Sequence, residues 1–306
     1  MKTRGRLVRA VVSVVGAVAL VAAIAVFGFH APQRIAHWWS CNSGGPGAPS
    51  WSPDSRWIAF AAVGGCDTEV VAIRPDGTAR RVIASSFSYW PAWSPKGDDL
   101  LVDTRHGYAV VSTTRGTPYV VIAKASDMGA AWSPHGDLIA FTHGFLPSIG
   151  DDEYRSTLYV ATANGSIVRS LVGHSCDPGG PAWSPDGRAI AVGCYDGLYV
   201  VDPKTGVARR ILKRDFGAEP PTPSWSPDGR SIVFLDYGYG GVYVVAANGR
   251  GHMRRLVSVD SDGWTDTAAW SPDGRWIAYS LSTGARTDGL YIMRSNGKDA
   301  HRIARF

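Results

Sequence analysis

Acidic and aromatic side chains are the chemistry this chain offers, and both recur by position. Asp54, Asp186, Asp228 and Asp273 each occupy the third place of a repeated tetrapeptide, Ser-Pro-Asp-Gly or, once, Ser-Pro-Asp-Ser. A repeated carboxylate could do acid–base work, but each of these sits in its own copy of a turn, where Asp supports the turn itself. A second set falls between the repeats. It comprises Asp127, Asp177, Glu219, Asp260, Asp262 and Asp266, with Tyr89, Trp90 and Trp264 beside them and Asp151-Asp152-Glu153 in a further segment. Convergent oxygens of this kind suit a hard cation such as Ca²⁺, and aromatics beside charge suit a binding surface. No EF-hand spacing is present, and His106, His143 and His174 share no ligand-spaced motif, so no metal site and no cofactor is expected. For nucleophilic hydrolysis the nearest match to a Gly-x-Ser-x-Gly elbow is Gly173-His-Ser-Cys-Asp177, which lacks the last glycine.

The elements that must position these residues come from one pattern that recurs six times. It begins at Trp51, Trp93, Trp132, Trp183, Trp225 and Trp270, at spacings of 42, 39, 51, 42 and 45 residues. Each copy reads Trp-Ser-Pro, a turn, then an apolar run such as Ile190-Ala191-Val192. A period in the forties built of short strands points to propeller blades of four strands. Small residues and Pro precede each Trp, as in Gly179-Gly180-Pro181-Ala182, which suits an innermost strand A where blades crowd around a channel. Pro presets the second position of a type I turn and Gly takes the left-handed position after it. The apolar run is strand B. Strand C is aromatic or β-branched, as in Leu198-Tyr199-Val200-Val201, and strand D carries arginines, as in Arg80-Arg81, Arg209-Arg210 and Arg254-Arg255. Charge on an outermost strand blocks edge-to-edge pairing. The six motif tryptophans are expected to pack between blades.

Residues 48–306 thus resemble the WD40-like Trp-Ser-Pro-Asp-Gly repeat of TolB-type propellers and of the propeller domains of prolyl-oligopeptidase-like enzymes. Ser55 replaces the turn glycine in the first copy, and Lys96 and His135 replace Asp in the second and third. The enzymes of that group use a separate hydrolase domain, for which no segment of suitable length remains. TolB proteins carry a further domain before the propeller, whereas only about 18 residues separate Phe29 from the first blade here. The resemblance therefore implies a TolB-like role rather than TolB itself. The ring closes either with the sixth blade complete at Ile303 or with a strand added by Arg34-Ile35-Ala36.

In a propeller the A–B and C–D turns share one face, and the D–A and B–C loops share the other, around the channel mouth. The second set of acids and aromatics falls in that mouth. Cys41 lies in a D–A segment and Cys66 in the B–C loop of the same blade; Cys176 and Cys194 take the matching places in the fourth blade. That parallel predicts Cys41–Cys66 and Cys176–Cys194 bridges. Each would close a loop of roughly 20 residues and add about 3 kcal/mol on the chain-entropy account.

The compartment follows from the N-terminus. The net charge of +5 arises there: Lys2, Arg4, Arg6 and Arg9 precede any acid, and the first acid is Asp54. The rest is close to neutral, which argues against a nucleic-acid partner. Ala10 to Phe29 is uncharged and apolar; 20 residues at ~1.5 Å each span ~30 Å, one hydrocarbon core. The preceding cations place the N-terminus in the cytoplasm and the body outside, or secreted if the segment is cleaved. Four cysteines suit an oxidising compartment.

The sequence thus predicts an all-β, six-bladed propeller of four-stranded blades preceded by one transmembrane helix. Its segments are a cytoplasmic stretch (1–9), a signal anchor (10–29), a linker (30–47) and the propeller (48–306). The function expected is non-enzymatic binding of a protein or cell-envelope component through Tyr89, Trp90, Asp127, Asp177, Glu219, Trp264 and Asp266. The alternative is a small-molecule hydrolase, lyase or sensor with an acidic, calcium-binding channel mouth.

Overall fold

The computed structural model describes residues 47–64, 67–85, 90–104, 107–113, 118–123, 129–145, 155–173, 178–217, 220–236, 240–258, 267–281 and 288–305. They lie in the second of two units into which the chain divides, Met1–Gly44 and Gly45–Phe306. The expected membrane segment lies outside the described residues, and among the described residues no helix is long and apolar enough to cross a membrane.

Six four-stranded antiparallel sheets follow one another along the chain, each a simple meander. Blade 1 holds β1 (Ser50–Trp51), β2 (Ile58–Gly64), β3 (Asp67–Ile73) and β4 (Arg81–Ser85). Blade 2 holds β5 (Ala92–Trp93), β6 (Asp99–Thr104), β7 (Gly107–Ser112) and β8 (Pro118–Ala123). Blade 3 holds β9 (Ala130–Trp132), β10 (Leu138–Phe145), β11 (Arg155–Thr162) and β12 (Ile167–Gly173). Blade 4 holds β13 (Ala182–Trp183), β14 (Ile190–Cys194), β15 (Gly197–Val201) and β16 (Ala208–Lys213). Blade 5 holds β17 (Ser224–Trp225), β18 (Ser231–Asp236), β19 (Gly241–Ala246) and β20 (Arg254–Ser258). Blade 6 holds β21 (Ala268–Trp270), β22 (Trp276–Leu281), β23 (Gly289–Arg294) and β24 (His301–Ala304).

The repeated turn builds itself from its own side chains. In blade 4 the Ser184 hydroxyl donates to Asp186 Oδ1 at 2.6 Å, the same oxygen accepts the Arg188 N–H at 3.1 Å, and Ser184 Oγ accepts the Ala189 N–H at 2.9 Å. Blades 1, 5 and 6 repeat this set. The Ser184 hydroxyl and the Arg188 N–H hold the Asp186 carboxyl below the usual carboxylate range. A carboxylate committed to its own turn in this way is not a free acid or base.

Two of the three substitutions within the turn are compensated. Ser55 adopts the left-handed φ of 59° that glycine takes in the other blades, and its Oγ accepts the Asp273 N–H of blade 6 at 3.1 Å. In blade 3, where His135 stands in the Asp position, Asp137 accepts the Ser133 hydroxyl at 2.7 Å.

The core is divided among the blades. Six clusters of buried apolar side chains each bridge two neighbouring blades, one per seam. Between blades 4 and 5, for example, Leu198 and Ile211 meet Ile232, Phe234 and Tyr243, and between blades 6 and 1, Ala278 and Leu290 meet Trp51, Ile58 and Phe60. Aromatics on strands B and C stack as directly paired partners, as in Phe234 on Tyr243 with ring centroids 6.0 Å apart. In every blade the pairing of strands C and D is interrupted by a register shift, which adds local twist to the outer edge.

β21 to β24 give blade 6 its four strands, as in the first of the two expected forms, and β21 lies against β1 as each innermost strand lies against the next; Arg34-Ile35-Ala36, the added strand of the second form, lies outside the described residues. The seam is made by side chains: the Trp51 indole donates to Ala269 O at 3.1 Å, alongside the Ser55–Asp273 contact.

The strand-D arginines do more than solvate an edge. Arg209 of blade 4 donates to Asn248 O at 3.1 Å and Ala247 O at 3.4 Å in the C–D turn of blade 5. Arg254 of blade 5 reaches Asn296 O in blade 6 at 3.3 Å, and Arg169 of blade 3 reaches Lys204 O in blade 4. One position in the repeat thus clasps three successive seams.

Candidate functional site

The six short A strands surround a central cavity of about 500 Å³. Strand A is only two or three residues long because Ser-Pro ends it. All described residues lining the cavity are Ala, Gly, Pro, Ser, Thr or Trp. The described wall is neutral, and tryptophan supplies its large side chains.

The tryptophans hold the wall in two ways. Trp225 repeats the blade 1 arrangement, its indole donating to Ala182 O of the preceding blade at 3.1 Å. Where strand A carries Ser instead, the hydroxyl binds the next blade's backbone: Ser50 Oγ accepts the Trp93 N–H at 3.0 Å, and Ser224 Oγ accepts the Trp270 N–H at 3.1 Å. The indole N–H groups of Trp93, Trp132, Trp183 and Trp270 are buried with no partner among the described residues. Packing between blades, the role expected of the six motif tryptophans, is what the buried clusters show.

Of the seven expected binding residues, Trp90 is described. It lines the cavity at the D–A segment of blade 2. Its backbone N–H donates to Asp103 Oδ1 at 3.2 Å, and its ring lies beside Gly129 of blade 3, whose φ of +90° favours glycine. Tyr89, Asp127, Asp177, Glu219, Trp264 and Asp266 lie outside the described residues. No group of three His, Cys, Asp or Glu side chains able to hold a metal ion occurs among the described residues. The neutrality of the wall itself was not part of the sequence reading, although the Pro, Ala, Gly and Ser before each Trp carried the signal.

Cys194 requires a correction. It is the last residue of β14, fully buried, rather than part of the B–C loop. The B–C connection of blade 4 is a two-residue turn, Tyr195-Asp196, so strand B runs through Cys194. Cys194 is disulfide-bonded; Cys41, Cys66 and Cys176 lie outside the described residues.

A second polar cluster lies between blades 4 and 5. The Asp236 carboxylate is wholly buried and pairs with Arg214, whose guanidinium lies over the rings of Phe216 and Tyr243 at 6.0 and 5.8 Å. It joins the end of strand D of one blade to the end of strand B of the next and does not face the cavity.

Ring, repeat and wall define a six-bladed β-propeller of four-stranded blades, whose repeats are similar to those of WD40 and TolB propellers. The family model described as "WD domain, G-beta repeat" matches residues 165–199. Among solved structures the chain is similar to a protein designated TolB from Agrobacterium tumefaciens, at 22% identity over 74% of this chain and 84% of that one, with a TM-score of 0.61. It is similar to TolB from Acinetobacter baumannii at 20% identity over 68% of this chain, spanning 53% of that one, with a TM-score of 0.57. It is also similar to an oligogalacturonate lyase in complex with manganese, at 14% identity over 84% of this chain and 76% of that one, with a TM-score of 0.57. A search of curated protein sequences returned no match. At these identities the likeness is one of fold, and one fold hosts many functions.

Proposed function

We propose that this protein is a non-enzymatic binding propeller, held at the cell membrane by residues 10–29 with its body on the extracytoplasmic side. Its partner is a protein or cell-envelope component taken at the channel mouth. The observation that carries this reading is the wall of the cavity. It is concave, neutral and rich in tryptophan, which favours capture through apolar area and hydrogen bonds and offers no ionisable group for acid–base or nucleophilic chemistry among its described residues. TolB-like and WD40 propellers, which this chain resembles, commonly mediate protein interactions. The anchor rests on the charge and hydropathy of the N-terminus, and Tyr89, Asp127, Asp177, Glu219, Trp264 and Asp266 complete the proposed surface.

The test is crosslinking capture from intact membranes, comparing wild type with Trp90→Ala and with a Trp264→Ala, Asp177→Ala double variant. A protein recovered with wild type and lost with the variants, at unchanged melting temperature, is the expected result. Equal recovery with all three removes this surface. Empty capture throughout, with a melting temperature that falls on adding chelator, would favour the acidic, metal-using alternative, whose support is the fold shared with a manganese-bound lyase.

The disulfide pairs belong to the same proposal. The Gly179 N–H donates to Gly193 O at 2.9 Å, which carries the A–B pairing of blade 4 to the neighbour of Cys194, three residues from Cys176. In blade 1 the Gly47 N–H donates to Ala61 O at 3.2 Å, extending the same pairing toward Cys41 and Cys66. Peptide mapping of the unreduced protein should recover Cys41–Cys66 and Cys176–Cys194. A bridge between the two blades would refute the parallel.

A further inference from the structure

The outermost strands carry charge of one sign. β4, β8, β12, β16, β20 and β24 contain no Asp or Glu, yet among them they hold Arg81, Arg169, Arg209, Arg210, Lys213, Arg254, Arg255 and Arg302. The acids of the strands lie further in, as at Glu69, Asp103 and Asp236. These cations form an arc over five successive blades, 3, 4, 5, 6 and 1.

Most of this charge is not neutralised. Arg210 pairs with Asp196 at 2.7 Å. Arg169, Arg209 and Arg254 spend their hydrogen bonds on uncharged carbonyls of the next blade. That fixes the guanidinium in place and leaves its full charge. Arg81, Lys213 and Arg255 are exposed and have no carboxylate partner among the described residues. A fixed guanidinium loses little further entropy when it binds an anion, and its fork matches phosphate oxygens. Held once in each of blades 3, 4 and 5, and continued by the exposed cations of the same strands, such groups form a row of anion sites around a convex wall.

We infer that this rim binds a linear phosphodiester-bearing polymer of the cell envelope. The shape of the arc selects the occupant. A flat bilayer meets a convex wall over a short stretch, whereas a flexible chain can follow all five blades. The rim is separate from the channel, so the two can be tested apart. That the polymer belongs to the envelope rests on the proposed extracytoplasmic placement.

The experiment uses the full chain in neutral detergent and fluorescently labelled long-chain polyphosphate as the probe. Binding is expected to be at least tenfold tighter than to pyrophosphate and to weaken steeply as salt rises. An Arg81→Gln, Lys213→Gln, Arg255→Gln variant, which spares the seam clasps, should bind tenfold or more weakly. An Arg188→Gln, Arg230→Gln, Arg275→Gln variant, with the same change of net charge in the A–B turns, should bind like wild type, as should Trp90→Ala. Equal weakening by both triple variants would overturn the rim as the site. Polyglutamate binding as tightly as polyphosphate would overturn the phosphate assignment. Capture by vesicles containing phosphatidylglycerol, without polyphosphate binding, would replace the polymer with a membrane surface.

Discussion

Replacing Trp51 by Ala should cost about 3–5 kcal/mol of stability, the range for truncating a buried aromatic, and should cost more than the same change at Trp183. The two residues hold equivalent positions and are similarly buried, at 6% and 9% exposure. They differ in one bond. The Trp51 indole donates to Ala269 O across the seam that closes the ring, while the Trp183 indole N–H has no partner among the described residues. Truncating Trp51 removes a hydrogen bond, worth about 1 kcal/mol net; truncating Trp183 removes a buried donor that was already unsatisfied. Among the described residues the seam between blades 6 and 1 has no shared strand, so side chains such as Trp51 carry closure there. Urea unfolding of wild type and the two variants measures the difference. Equal losses at the two sites would show that the closing bond contributes nothing, and a loss below about 1 kcal/mol at Trp51 would contradict side-chain closure altogether.

The second large effect is expected at Gly193. This residue lies inside β14 of blade 4, where a Cβ would run into the Pro221 carbonyl of blade 5. The obstacle is backbone, so it cannot rotate away, and relief requires the two blades to part. Gly193→Ala should therefore cost about 3 kcal/mol, at the upper end for overpacking, although alanine is otherwise a modest change in a strand. The variant should also loosen the pairing of Gly179 with Gly193 and so the setting of Cys194. A shift in unfolding free energy under about 0.5 kcal/mol, the size of an ordinary surface substitution, would mean that blades 4 and 5 do not approach as closely as described.

Much of this architecture is legible in the sequence, because one physical unit is written six times. Trp-Ser-Pro-Asp-Gly encodes a strand end, a turn and a seam-filling aromatic at once, so blade number, strand order and the innermost strand can all be read from it. The closing of blade 6 at its own fourth strand was one of two readable options. Three features escape, the first two because they depend on partners far away in the chain. Ser55 looks like a weakened turn until its hydroxyl meets Asp273, 218 residues on. The arginines of strand D look like solvated edge charges until their reach to the next blade's carbonyls is seen. Cys194 looks like a loop residue because nothing local announces that Tyr195-Asp196 suffices as a turn. The site was legible in place more than in character. Acids in the loops drew attention to a charged mouth, while the small residues before each Trp, which make the described wall neutral, are as plain in the sequence and were read only as a packing requirement.

The central claim is that the channel mouth captures a partner, and a photoreactive side chain can report on it directly. Placed at residue 90 of the full chain in intact membranes, it should yield a discrete adduct on illumination, while the same probe at Arg275, exposed in the A–B turn of blade 6 on the opposite face, should yield none. An adduct from residue 275 and none from residue 90 would contradict the account and move the interaction to the other face of the propeller.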